Sequence, residues 1–225
     1  MEKYEELVGA LRKATLDIVV DAAKACYEKT VQTCEEDFAT LHANLDDLYN
    51  EYVDSSSWAG CTQLMYDEKL ETQNAKKAEM FKSLISNDAI GYEQALDGYY
   101  KAKEDVKAMY ESLNEELGML DASRHRLLSV IEESIKCIKA DQQWMQDERA
   151  RMQSVYENNI GTNKDDFACE KFNEIYKYSM LSHNRNLEYI NNCLRICSEY
   201  IRKLERQGAL VVVENQTNGA EMGDE

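Results

Sequence analysis

From Tyr92 onward the apolar residues recur by steps of four and three, with a lysine on one beat: Tyr92, Leu96, Tyr99, Lys103, Val106, Tyr110, Leu113, Leu117 and Leu120. That spacing puts side chains on one face of a helix. The beat continues through Arg124, Leu127, Ile131, Ser134, Ile138, Asp141, Met145, Glu148, Met152 and Val155. A loop has no reason to preserve the phase. The pattern therefore predicts one continuous helix from about 88 to 159, with a break near 121–123 as the competing arrangement. Lys103 and Arg124 fit such a seam by laying their stems along it and reaching solvent.

The first predicted helix covers about 2–53. Its stripe is Tyr4, Leu7/Val8, Leu11, Ile18, Ala22 and Ala25, resuming in a shifted phase at Tyr27, Val31, Cys34, Phe38, Leu41, Leu45, Leu48 and Tyr52. The shift is a skip in the heptad, which changes supercoiling without ending a helix. "DSSSWAGC", residues 54–61, reads as a linker because of its serine run and Gly60. A second helix then covers 62–159, with a break or phase shift near 86–88, where Asp88 is a candidate cap. "IGTNKDD", residues 160–166, is a turn: Gly161 can end a helix, Thr162 or Asn163 can cap the next, and Asp165 and Asp166 suit its first turn. The third helix covers 164–206, along Cys169, Phe172, Tyr176, Met180, His183, Leu187, Ile190, Leu194, Cys197, Ile201 and Leu204. Gly208 ends it. Residues 207–225 form an acidic, flexible tail, in which "ALVVVE" has strand propensity.

The chain has no proline and only nine glycines, which favours long helices. The expected fold is all-α: an elongated antiparallel coiled-coil or helical bundle of three long helices, a single domain over residues 1–206. Doublets such as Tyr99/Tyr100, Met109/Tyr110, Leu127/Leu128 and Trp144/Met145 widen the apolar face beyond a two-stranded seam. Self-association as a homodimer would cover the surplus.

Net charge is −17 and uneven. Residues 1–121 carry 12 basic and 26 acidic side chains (−14), residues 122–206 carry 14 and 13 (+1), and residues 207–225 carry none and four (−4). The first half should repel nucleic acid and anionic lipid, which disfavours nucleic-acid partners and weighs against a membrane surface. The beginning of the chain lacks the apolar block of a secretory signal, and no window suits a transmembrane helix. Seven cysteines with no secretion route are expected to be reduced thiols in a cytoplasm.

Few residues suggest chemistry. His183, Cys193 and Cys197 are three soft ligands on one helix and form a weak zinc candidate; core packing is the plainer role for such cysteines. Glu-x-x-His pairs, as a di-iron bundle needs, are missing: the residues three before His42, His125 and His183 are Ala39, Ala122 and Met180. Neighbouring carboxylates such as Glu115/Glu116 project about 100° apart and read as a solvated face. G-x-S-x-G, P-loop and G-x-G-x-x-G motifs are also missing. No catalytic residue, metal or cofactor is therefore expected. Arg124, His125 and Arg126 make the densest positive charge and a candidate contact for lipid or phosphate, set against a solvated patch offset by Glu132 and Glu133.

The length, the three-helix plan and the long central helix are similar to BAR-type membrane-shaping domains. That resemblance implies a peripheral membrane module that reads curvature. The residues themselves favour a non-enzymatic coiled-coil scaffold or adaptor, working through protein–protein contacts and most simply as a homodimer. A helical-bundle enzyme or metal carrier is the third possibility.

Overall fold

The computed structural model describes residues 2–162 and 165–218. Three α-helices form a bundle: α1, Glu2–Ile85; α2, Ala89–Thr162; and α3, Asp166–Asn218. No strand occurs among the described residues. The α-helical class and the three long helices match the pattern of the sequence.

Three boundaries differ from it. The expected linker at 54–61 is helical and lies inside α1. Its serines satisfy themselves there: Ser55 Oγ donates to the Glu51 carbonyl at 2.9 Å and Ser57 Oγ to the Val53 carbonyl at 3.0 Å. The buried positions Leu45, Tyr52 and Ala59 follow at intervals of seven, so the heptad passes straight through the serine run. The division between α1 and α2 falls instead at 86–88. Asn87 takes a left-handed φ of 56°, and Asp88 Oδ1 accepts the Gly91 N–H at 3.0 Å. Finally, α3 does not stop at Gly208 but continues to Asn218, and "ALVVVE" has helical rather than strand backbone. A lone glycine costs a helix only about 1 kcal/mol. Of the tail, residues 219–225 lie outside the described residues. The α2 helix runs unbroken through Gly118 and 121–123, where Ser123 Oγ donates to the Leu120 carbonyl at 2.9 Å.

Contacts group the chain into two compact units. One comprises residues 46–129, a helical hairpin made of the end of α1 and the start of α2. Its partners step outward from the turn at one pace: Lys76 beside Gly98, Lys69 bridged to Asp105 at 3.2 Å, Tyr66 against Tyr110, and Arg126 bridged to Glu51. The helices are thus antiparallel. The buried line over 92–110 is Ala95 and Ala102, not the expected Lys103 and Tyr110, which are exposed. Small side chains at 95 and 102 suit a close helix approach; of the expected beat, Tyr92, Leu96, Tyr99 and Val106 are half-buried beside them and Tyr110 is turned out. From Leu113 the expected beat is buried at Leu113, Leu127, Ile131, Ile138 and Met145, but Leu117, Arg124, Asp141 and Val155 on the same beat are exposed and Ser123 is buried beside it.

The other unit takes the chain up to Leu45 and again from Val130. Here α1 and α3 run the same way: Lys13 lies over the Phe167 ring, Asp17 bridges Lys171 at 3.0 Å, Tyr27 meets Tyr178, and Cys34 Sγ donates to Asn186 Oδ1 at 3.3 Å. The α2 helix runs against them, with Tyr156 stacked on Tyr176 at 4.1 Å between centroids. Ile138, Met145, Ile190 and Cys193 are buried at the core, with Phe38, Leu41 and Leu187 packed around them. His183, Ile190, Cys197 and Leu204 recur every seven residues, and Cys193, Ile196 and Tyr200 widen that stripe into a core face.

Candidate interaction surfaces

The soft-ligand trio does not form a metal centre. His183, Cys193 and Cys197 share one face of α3, but the helical rise sets His183 about 15 Å from Cys193 and about 21 Å from Cys197 along the axis. No cluster of three potential His, Cys, Asp or Glu ligands occurs among the described residues. Cys193 and Cys197 are fully buried core thiols, and burial pushes both upward from the ordinary thiol range.

The basic run Arg124-His125-Arg126 is exposed, and acids already stand beside it. Arg126 Nη1 lies 2.6 Å from Glu51 Oε1. His125 Nδ1 lies 2.9 Å from the Asp121 carbonyl oxygen and 3.2 Å from its carboxylate. Arg124 is close enough to Tyr52 to lower its phenol part of the way back from the rise that burial causes.

Three further features depend on how the helices pack. The first is the beginning of α1. Tyr4, Leu7, Leu11 and Ile18 are 72, 59, 60 and 67% exposed. With the exposed Ala14 they keep a strict three-and-four step, the a/d seam of a coiled coil. Lys13 lies over the ring of Phe167, in the first turn of α3, and the two helices run the same way, so the turns of α1 before it precede the start of α3.

The second is a groove in the same unit. Its floor is α3 (Phe172, Ile175, Tyr176, Ser179, Ser182, His183, Asn186), and its walls are α1 (Val19, Ala23, Cys26) and α2 (Trp144, Met145, Glu148, Arg151, Met152, Val155, Tyr156, Asn159). Two neighbouring hollows of about 390 and 240 Å³ share Glu148, Met152 and Ser179. His183 is 2% exposed, and neither ring nitrogen meets a hydrogen-bonding partner in the structure. Burial, then the Arg149 charge, lowers its proton affinity, and Glu148 acts the other way. The spacing 172, 175, 176, 179, 183 is helical and visible in the sequence; that α1 and α2 part above it is not.

The third is a hollow of about 630 Å³ on the hairpin unit, lined by Tyr66, Gln73, Tyr100, Lys103, Glu104, Val106, Lys107 and Tyr110. The exposed Tyr100 and Tyr110 form part of it.

The chain matches no protein-family model, no curated protein and no solved structure. No comparison supports the resemblance to BAR-type domains. No described helix is long and apolar enough to cross a membrane.

Proposed function

We infer that this chain is a non-enzymatic helical scaffold that works through protein–protein contacts, first with a second copy of itself. The uncovered seam of Tyr4, Leu7, Leu11, Ala14 and Ile18 carries this reading. Of its flanking positions Val8, Ala10, Thr15 and Ala22 are uncharged, Lys3 and Asp17 carry opposite charges, and Asp17 is already bridged to Lys171, so two such helices can approach without like-charge repulsion at most layers. In water an unpaired seam of this kind gains by burying its leucines, at about 25 cal/mol per Å² of apolar surface. A lipid-directed reading has less support, because Arg126 and His125 already have acidic neighbours.

Sedimentation equilibrium over a concentration series tests the proposal. The wild type should approach twice the 26.0 kDa chain mass. Leu7→Glu combined with Leu11→Glu should stay at the single mass with an unchanged helical circular-dichroism spectrum. A wild type that remains a monomer at the highest concentration refutes the reading.

A further inference from the structure

The seam at the start of α1 is asymmetric along its length. Tyr4, Leu11 and Ile18 form one of its lines, and Leu7 and Ala14 form the other, so a bulky residue stands near one end and a small one near the other. The opposite face of α1, at Leu16 and Val20, is the half-buried and buried one, and the seam therefore points away from its own bundle. One edge of the seam carries Lys3, Ala10 and Asp17, each a heptad apart, with its two charges exposed and opposite in sign. The other edge carries Val8, Thr15 and Ala22 and no charge.

We propose that a second copy lies antiparallel along this seam, about a two-fold axis level with Gly9. The proposal rests on the self-association inferred above and fixes its direction. Antiparallel helices pair each line of the seam with the other line, and each edge with itself. Level with Gly9, Tyr4 faces Ala14 of the second copy and Leu7 faces Leu11, so the bulkiest seam residue meets the smallest. On the charged edge Lys3 faces Asp17 of the second copy, twice by symmetry, and Ala10 faces Ala10. Asp17 already accepts Lys171 of its own chain at 3.0 Å, and a carboxylate has room for a second lysine. The uncharged edge closes on Val8, and Ile18 falls at the end of the overlap. Sliding the copies by one heptad would put Lys3 against Lys24 and Tyr4 against Asp21. A parallel pair in register would stack Tyr4 on Tyr4, leave a void between the two Ala14 residues, and set Lys3 and Asp17 against Val8 and Ala22.

Cysteine cross-linking of the full chain reads the direction. A background of Cys26→Ser, Cys61→Ser, Cys137→Ser and Cys169→Ala leaves only buried thiols. In it, Tyr4→Cys and Ala14→Cys proteins mixed under copper phenanthroline should form a disulfide-linked dimer. Neither should do so alone, because like positions then stand about 15 Å apart along the helix axis, beyond the reach of a disulfide. Lys3→Glu and Asp17→Lys should each weaken dimerisation about tenfold, and the two changes in one chain should restore it. A wild type that stays monomeric defeats the self-association reading and this one with it. A dimer in which Tyr4→Cys or Ala14→Cys cross-links alone overturns the antiparallel direction and leaves self-association standing. A dimer without the mixed cross-link puts the second copy elsewhere and overturns the proposal too. If the cysteine variants no longer associate, the charge exchange decides: no recovery in the doubly changed chain overturns it.

Discussion

Nη1 of Arg126 on α2 lies 2.6 and 2.8 Å from the two carboxylate oxygens of Glu51 on α1. The pair ties the hairpin unit together at the end away from its turn. Both side chains stay about half exposed, at 55 and 44%, so water and salt screen the attraction. Glu51→Ala should lower unfolding stability by only about 0.5 kcal/mol, and a double-mutant cycle with Arg126→Ala should return a coupling of similar size that shrinks in salt. Denaturant titration reads this. A coupling above about 2 kcal/mol would mean the pair behaves as a buried one.

The turn between α1 and α2 makes a sharper demand. Asn87 sits at φ 56°, where a side chain branched at Cβ is strained. Asn87→Gly should be neutral or slightly stabilising, and Asn87→Val should cost about 1 to 2 kcal/mol. Asp88→Ala removes the acceptor for the Gly91 N–H and should cost about 1 kcal/mol. Thermal melts should place Asn87→Gly highest, Asp88→Ala next and Asn87→Val lowest.

Much of this architecture is legible in the sequence, and the gaps have identifiable causes. Between Leu113 and Met145 the beat is buried where it carries large apolar residues at Leu113, Leu127, Ile131, Ile138 and Met145, while Leu117, Arg124 and Asp141 on it stay exposed. Over 92–110 the same rule misleads. Tyrosine scores as apolar, yet alanines at 95 and 102 permit the closer helix approach and win the interface. At 54–61 a serine run suggests a linker, but the interval from Leu45 to Tyr52 to Ala59 crosses it intact and was the better guide. The site was less visible. His183 is picked out by its residue type, but the groove above it exists only because α1 and α2 diverge over α3, and no local pattern encodes that.

The seven cysteines should divide by accessibility. Cys26, Cys61 and Cys137 are exposed, Cys169 is intermediate, and Cys34, Cys193 and Cys197 are buried. Burial also raises the buried three, which reduces their reactive thiolate. An aromatic disulfide reagent at neutral pH should modify three thiols fast, one more slowly, and three only after denaturant is added. Rapid modification of Cys197 would contradict the packing of α3.

Two leucines on α1 give a contrast in packing. Leu45 is fully buried and Leu64 is 67% exposed. Leu45→Ala should cost about 2 to 5 kcal/mol through lost burial and the cavity left behind. Leu64→Ala should change stability by no more than about 0.5 kcal/mol. Comparable losses at both sites, measured by chemical denaturation, would mean that Leu64 is covered in solution, as a partner on the hairpin unit would cause.

His183 makes stability depend on pH in a definite direction. Burial, then the Arg149 charge, holds its imidazole below the usual range, against the pull of Glu148. The other titratable side chain lining the hollow is Cys26. In the unfolded chain the ring takes up a proton near pH ~6.5, and the folded protein resists it. Wherever the unfolded state binds more protons, stability rises with pH. Its contribution is therefore complete above the ordinary histidine range. It declines as pH falls below ~6.5 and levels off only under the lower folded value. Gln at 183 keeps a polar group but cannot titrate. Between pH ~7 and ~5 the wild type should thus lose more stability than His183→Gln, a window largely above the ordinary carboxylate range. Parallel stability curves for the two proteins would show that the ring protonates freely in the folded state, and hence that the floor of the groove is open to water.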